Sequence, residues 1–206
     1  MDTELAVAWI RGIAAAVEQQ EPYLTELDSA IGDGDHGSNL RRGFSAVVTA
    51  LDTLEADSVG AVLAKTGSTL ISKVGGASGP LYGSAFRAMG KALPQATVTP
   101  AELAAALAEG LLAIQQLGGA QPGDKTIVDA WTPALAAFEA AAADGLLAAA
   151  EAADAAAAQG ARDTVPLQAR KGRASYLGPR SAGHQDPGAT STALILHALA
   201  DTARAA

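Results

Sequence analysis

Apolar residues recur at helical spacing along almost the whole chain. Leu5, Trp9, Ile13 and Val17 step by four, and Leu40, Phe44, Val47, Leu51 and Leu54 alternate steps of four and three. Val59, Leu63, Thr66, Leu70 and Val74 do the same. Leu103, Leu107, Gly110, Ile114 and Leu117 make a fourth stripe, and Val128, Trp131, Leu135 and Phe138 a fifth. Each stripe puts one apolar face toward a shared core. Trp9 and Trp131 lie on stripes and read as core. No run alternates β-branched and polar residues, so no substantial sheet is expected.

Local signals mark the boundaries. Thr99, Pro100 and Glu102 have the order of an N-cap, a first helical residue and a first-turn acid. Asp186-Pro187 repeats that order before a last helix expected over about 188–204. Pro133 falls inside a helical stretch and is expected to kink it. Residues 140–161 are almost pure alanine with scattered acids, the composition of a helix or helical pair. The reading is one all-α domain over 1–206: about eight helices joined by four polar, glycine-rich loops at 28–38, 75–83, 118–125 and 170–190.

Composition narrows the classes. About a quarter of the 206 residues are alanine, which favours thin, closely packed helices. Fourteen basic against 22 acidic residues argue against general nucleic-acid affinity. With no cysteine there is neither a disulfide framework nor thiol catalysis, which fits a reducing cytosol. The start, MDTELAVAWI, lacks the basic region of a secretory signal, and no apolar run approaches the ~20 residues of a membrane span. A cytoplasmic protein is expected.

The loops carry the chemistry. In LDSAIGDGDHGSN, residues 27–39, Asp28, Asp33 and Asp35 fall close together between glycines. Carboxylates this close repel unless a cation neutralises them, and hard cations such as Mg²⁺ take such oxygens. The twelfth-position Glu of an EF-hand is missing, and an acidic turn with helix caps is the competing reading. His36-Gly37-Ser38-Asn39 opens a helix whose free N–H groups attract anions, although Ser38 and Asn39 also suit capping. In VGGASGPLYGS, residues 74–84, Gly75, Gly76 and Gly79 leave N–H groups open to a phosphate or serve a tight interhelical turn. Asp124 suits the N-cap of the next helix, and Lys125 either meets phosphate or lies solvated. The 170–190 loop is long for a helical domain, and Lys171, Arg173 and Arg180 cluster there in an otherwise acidic chain. His184 is a base or a structural histidine; His197 reads as a helix-face or core residue without a role. Together these are the parts of a Mg²⁺–nucleotide site, in which phosphoryl transfer needs cations and positioning rather than a protein nucleophile.

GDGDHG (32–37), GGASGPLYG (75–83), PGDKT (122–126) and RKGRASYLGPRSAGHQDPGATS (170–191) are similar to the motifs of a known family. The chain resembles the nucleotide-binding L subunits of dihydroxyacetone kinases over about residues 5–203. The resemblance implies a closed barrel of eight antiparallel helices with the nucleotide in loops at one end. It implies that Asp28, Asp33 and Asp35 hold two Mg²⁺ ions. It places phosphate and nucleotide contacts on His36, Gly37, Ser38, Asn39, Ala77, Ser78, Gly118, Ile127, Arg173, Asp186, Pro187 and Gly188, with Arg173 as the catalytic cation and Ile127 an apolar wall for adenine. Lys125 and His184 stay unassigned. In one branch of the family this domain follows a substrate domain in a single chain and uses ATP. In the other, separate L subunits keep ADP bound as a cofactor; a phosphocarrier M subunit fed from phosphoenolpyruvate phosphorylates it, and the group passes to dihydroxyacetone on the K subunit. A chain of this length resembles the second branch. Exchange of free ATP, a different small ketose or polyol as acceptor, and nucleotide-dependent control of a transcriptional regulator are the alternatives.

Overall fold

The computed structural model describes all 206 residues. Eight helices follow in order: α1 (Thr3–Ile31), α2 (His36–Leu51), α3 (Val59–Lys73), α4 (Ser78–Ala92), α5 (Pro100–Gly118), α6 (Ile127–Ala141), α7 (Leu146–Asp163) and α8 (Pro187–Ala205). The only β pairing is an isolated bridge between Asp2 and Thr97. No helix is long and apolar enough to cross a membrane.

The predicted signals act where expected. Thr99 and Glu102 form a reciprocal capping box at α5, with Pro100 in its first turn. Asp186 caps α8 and Pro187 opens it. The alanine tract resolves into a short 3-10 turn, Ala142–Asp144, then Gly145 at φ +103°, then α7. One expectation changes. Asp124 does not cap α6: its carboxylate accepts from Gln121 N–H at 2.9 Å and closes the turn, while Thr126 and Asp129 form the capping box. Pro133 lies inside the continuous helix α6, as Pro22 lies inside α1.

Each helix packs against its neighbours in the chain, and α8 returns to α1, closing the ring. One contiguous apolar cluster fills it. Phe86 sits at its centre, 6.0 Å from Trp9 and 6.5 Å from Phe44 between ring centroids. Both indole N–H groups are satisfied inside, Trp9 by the Ile195 carbonyl at 2.9 Å and Trp131 by the Leu107 carbonyl at 3.2 Å. Leu117, the last member of its stripe, is 57 % exposed, because it lies at the mouth of the ring rather than inside it.

The thinness of the helices is most literal between α3 and α4. A Cβ added at Gly67 would stand 2.5 Å from the Gly83 carbonyl, and one at Gly90 would stand 2.7 Å from the Gly60 carbonyl. The two backbones touch through reciprocal glycines, and their junction, residues 74–77, is one of the loops at the site.

Candidate functional site

Successive helices alternate in direction, so the α1–α2, α3–α4, α5–α6 and α7–α8 connections all emerge at one mouth of the ring. They enclose a cleft of about 740 Å³ lined by residues of all four. The N-terminal residues lie at the other mouth, where the Met1 carbonyl accepts from Val98 N–H at 2.8 Å.

Asp28 lies in the last turn of α1 and is buried. One of its carboxylate oxygens accepts from Asp35 N–H at 2.8 Å and His36 N–H at 3.1 Å, which folds the connection back over the helix end. Gly34 makes that turn at φ +73°. As a result one carboxylate oxygen from each of Asp28, Asp33 and Asp35 lies within 4.8 Å of the others. That spacing suits oxygen ligation of a hard cation. Asp33 also meets a cation of the long connection, with Arg173 Nε 2.7 Å from its Oδ2.

Behind the trio, Asn39 is buried and its Oδ1 accepts from Arg42 at 2.6 Å. Its Nδ2 donor has no partner. A Cβ added at Gly76, itself at φ +67°, would sit 3.6 Å from that nitrogen and 3.9 Å from Asp35. A buried orphan donor beside an open glycine turn is costly unless something accepts from it. Ala77 and Ser78 continue the turn along the cleft. Ser38 donates to the Asp35 carbonyl at 3.0 Å, tying down the helix entry rather than facing the cleft. Gly37 is buried where α2 crosses α1: a Cβ there would strike the Glu21 carbonyl and the Thr25 hydroxyl.

The cleft floor is a buried polar network. His36 Nε2 lies 2.9 Å from Ser191 Oγ, and Tyr82 OH lies 2.7 Å from the same oxygen. Tyr82 also reaches Thr192 at 2.9 Å and the Gly188 carbonyl at 3.0 Å. Burial holds the His36 imidazole below its ordinary range against the pull of Asp28 and Asp35, and pushes the Tyr82 hydroxyl up. Beside them Asp186 accepts from Ala189 N–H at 2.7 Å; burial raises its carboxyl to about 7, opposed by that bond and by Lys125. The apolar wall comes from Ile31, Leu81, Ile114, Ala120 and Ile127.

Of the predicted residues, Asp28, Asp33, Asp35, His36, Ala77, Ser78, Gly118, Ile127, Arg173, Asp186, Pro187 and Gly188 line the cleft, whereas Gly37, Ser38 and Asn39 stand behind its surface. Lys125 and Lys171 also line it; Arg180 and His184 are exposed outside it. Lys125 is neither solvated nor a free phosphate ligand: it is 1 % exposed, and its ammonium donates to the Thr164 carbonyl at 2.7 Å and to the His184 carbonyl. His197 is a helix-face residue paired with Asp154 at 2.9 Å. Tyr82 escaped the motif reading because a tyrosine in a glycine-rich turn carries no local sign of the α8 hydroxyls it meets.

A closed helical ring with carboxylates, glycine turns and an arginine converging at one mouth defines the class: an all-α protein with a mixed acidic and basic cleft. The family follows from comparison. The model of the DAK2 domain matches residues 30–201, and the chain belongs to that family. It is 43 % identical over 201 residues to the PEP-dependent dihydroxyacetone kinase, ADP-binding subunit DhaL, of Escherichia coli (strain K12), covering 96 % of each chain. It is 42 % identical over 198 residues to the PTS-dependent dihydroxyacetone kinase, ADP-binding subunit DhaL, of Lactococcus lactis subsp. lactis (strain IL1403), covering 95 % of each. Its fold is similar to the crystal structure of the dihydroxyacetone kinase from C. freundii in complex with AMP-PNP and Mg²⁺, with a TM-score of 0.78 and 30 % identity. That match covers 98 % of this chain and 34 % of the kinase, so the chain spans about a third of that protein's length.

Proposed function

We propose that this chain, as a single nucleotide-binding domain, is the ADP-binding L-type subunit of a phosphoenolpyruvate-dependent dihydroxyacetone kinase. In this reading Mg–ADP is the resident carrier that relays a phosphoryl group from a phosphocarrier M subunit to dihydroxyacetone held on a K subunit. The observation that carries the reading is the trio of carboxylates within 4.8 Å of one another, met by Arg173 across the cleft. Relatives of matching length named as ADP-binding subunits support it.

Asp28, Asp33 and Asp35 would hold two Mg²⁺ ions, and the donor set fits: all are hard oxygens, and the unpartnered Asn39 amide supplies a donor beside them. When bound, Mg²⁺ offsets the charge of the phosphate oxygens. Arg173 presents a planar fork of donors to an anionic group and neutralises charge without giving up a proton. The N–H groups of the 75–78 turn, which no other group in the chain accepts from, orient phosphates, while those at the α2 and α8 entries are held by Asp28 and Asp186. Gly118 and Ile127 leave room for a flat base against an apolar wall. The Tyr82–Ser191–His36 network keeps the α2 and α8 entries in register.

Asp33→Asn tests the reading. Titrated with MgCl₂ and ADP, the variant is expected to bind both about tenfold or more weakly, the scale of losing a tuned metal-site partner. Occupancy of both at the wild-type level would overturn the site.

A further inference from the structure

The connection between α7 and α8, residues 164–186, is much longer than the other three at this mouth, and it carries Arg173. Its tip touches little. Added Cβ atoms at Gly172 and Gly178 would meet nothing within 4 Å. Tyr176 is 87 % exposed, and the side chain of Arg173 is 70 % exposed although it pairs with Asp33. The base, in contrast, is closed. Gly183 N–H donates to the Val165 carbonyl at 2.7 Å, and Asp186 N–H donates to Thr164 Oγ1 at 2.9 Å. Arg170 N–H donates to the Asp124 carbonyl at 3.1 Å.

Lys125 sits where these lines meet. Its ammonium binds the Thr164 carbonyl at the start of the connection and the His184 carbonyl near its end. Its backbone has φ +64°, the only non-glycine residue in that region, which L side chains adopt rarely. Such a conformation persists where the surroundings over-determine it, and here the side chain is bound at both ends of one segment. Burial draws the ammonium below its ordinary range; the Asp186 and Asp129 carboxylates hold it up. Removing the ammonium would orphan the His184 carbonyl, leave the Thr164 carbonyl with Leu167 N–H alone, and leave the base without a side-chain tie that joins both ends of the strap to the α5–α6 connection.

Resting on the function read above, we propose that Lys125 is a positioning residue: by stitching together both ends of the 164–186 strap, it holds Arg173 opposite the carboxylates and so slows release of bound nucleotide. Lys125 borders the cleft, but its ammonium is engaged by the two strap carbonyls, so it acts through Arg173. Its effect on retention should therefore vanish when Arg173 is gone, which a general loss of stability would not do.

The test is a double-mutant cycle on the full chain with Mg²⁺ and ADP, using K125M, R173A and the double variant. Hydrogen exchange over 165–183 and the ADP dissociation rate are read together. K125M is expected to raise exchange in 165–183 relative to the rest of the chain and to speed ADP release about tenfold. In the R173A background the same change should alter release by no more than about twofold, the scatter of independent sites. K125G, which suits the positive φ, takes the place of K125M should methionine prevent folding. Unchanged exchange in the strap overturns the proposal, and so does a full tenfold effect that persists without Arg173. The exchange arm needs no nucleotide, so failure of the wild-type chain to retain ADP would sink the functional reading while leaving the strap to be judged separately.

Discussion

Gly67 and Gly12 are both interior helix glycines at helix contacts, and the structure assigns them opposite responses to alanine. At Gly67 the new Cβ would stand 2.5 Å from the Gly83 carbonyl and 2.7 Å from Arg87 N, both backbone atoms that cannot rotate aside. Restoring ordinary contact requires α3 and α4 to part by roughly 0.8 Å, an overpacking cost of about 3 kcal/mol at the upper end of the usual range. Alanine's helix propensity returns about 1 kcal/mol. The net loss is about 2 kcal/mol, which for a chain of this size lowers Tm by about 4–8 °C. At Gly12 the nearest atoms would be Thr202 Oγ1 at 3.5 Å and Ala198 Cβ at 3.6 Å, ordinary contacts. Only the propensity gain remains, about 1 kcal/mol and a rise of about 2–4 °C. Urea and thermal unfolding followed by circular dichroism read both variants. If Gly67→Ala and Gly12→Ala shift stability in the same direction, the clearance argument is wrong.

Two further outcomes follow from the buried network. Asp186 binds its proton more tightly folded, at about 7 against 3.8 unfolded, so its contribution falls as pH rises between those values, by at most about 4 kcal/mol. Asp186→Asn, which keeps an acceptor for Ala189 N–H, should flatten the stability difference between about pH 4 and pH 7 relative to wild type in urea unfolding; an unchanged slope refutes the assignment. Tyr82→Phe removes the hydroxyl shared by Ser191, Thr192 and Gly188 and should cost about 1–3 kcal/mol in the same assay, and a loss below about 0.5 kcal/mol would show that the network is not what holds the α8 entry.

The helices were legible because each carries its own apolar period and several carry explicit caps; Thr99-Pro100 and Asp186-Pro187 mark starts correctly. The acidic trio and the glycine turn were legible because both lie within single loops. What stayed hidden depends on partners distant in sequence. Nothing near Lys125 foretells the carbonyls of Thr164 and His184, and nothing near Tyr82 foretells Ser191. The α6 cap was readable in principle, since Thr126 and Asp129 have capping-box spacing, but Asp124 competed for the same role. Asn39 looked like a cap and is instead a buried amide with one donor open, a distinction set by how α2 lies against the 75–76 turn.

The central claim is that this cleft holds Mg–ADP as a resident carrier. The direct measurement is the nucleotide and metal content of the wild-type chain after long dialysis in Mg²⁺ without nucleotide, repeated after a chase with labelled ATP. The account predicts about one ADP and two Mg²⁺ per chain with little label taken up, as slow release from a closed site requires. An empty cleft, or one that fills rapidly with label, would contradict it and make the nucleotide a diffusible substrate.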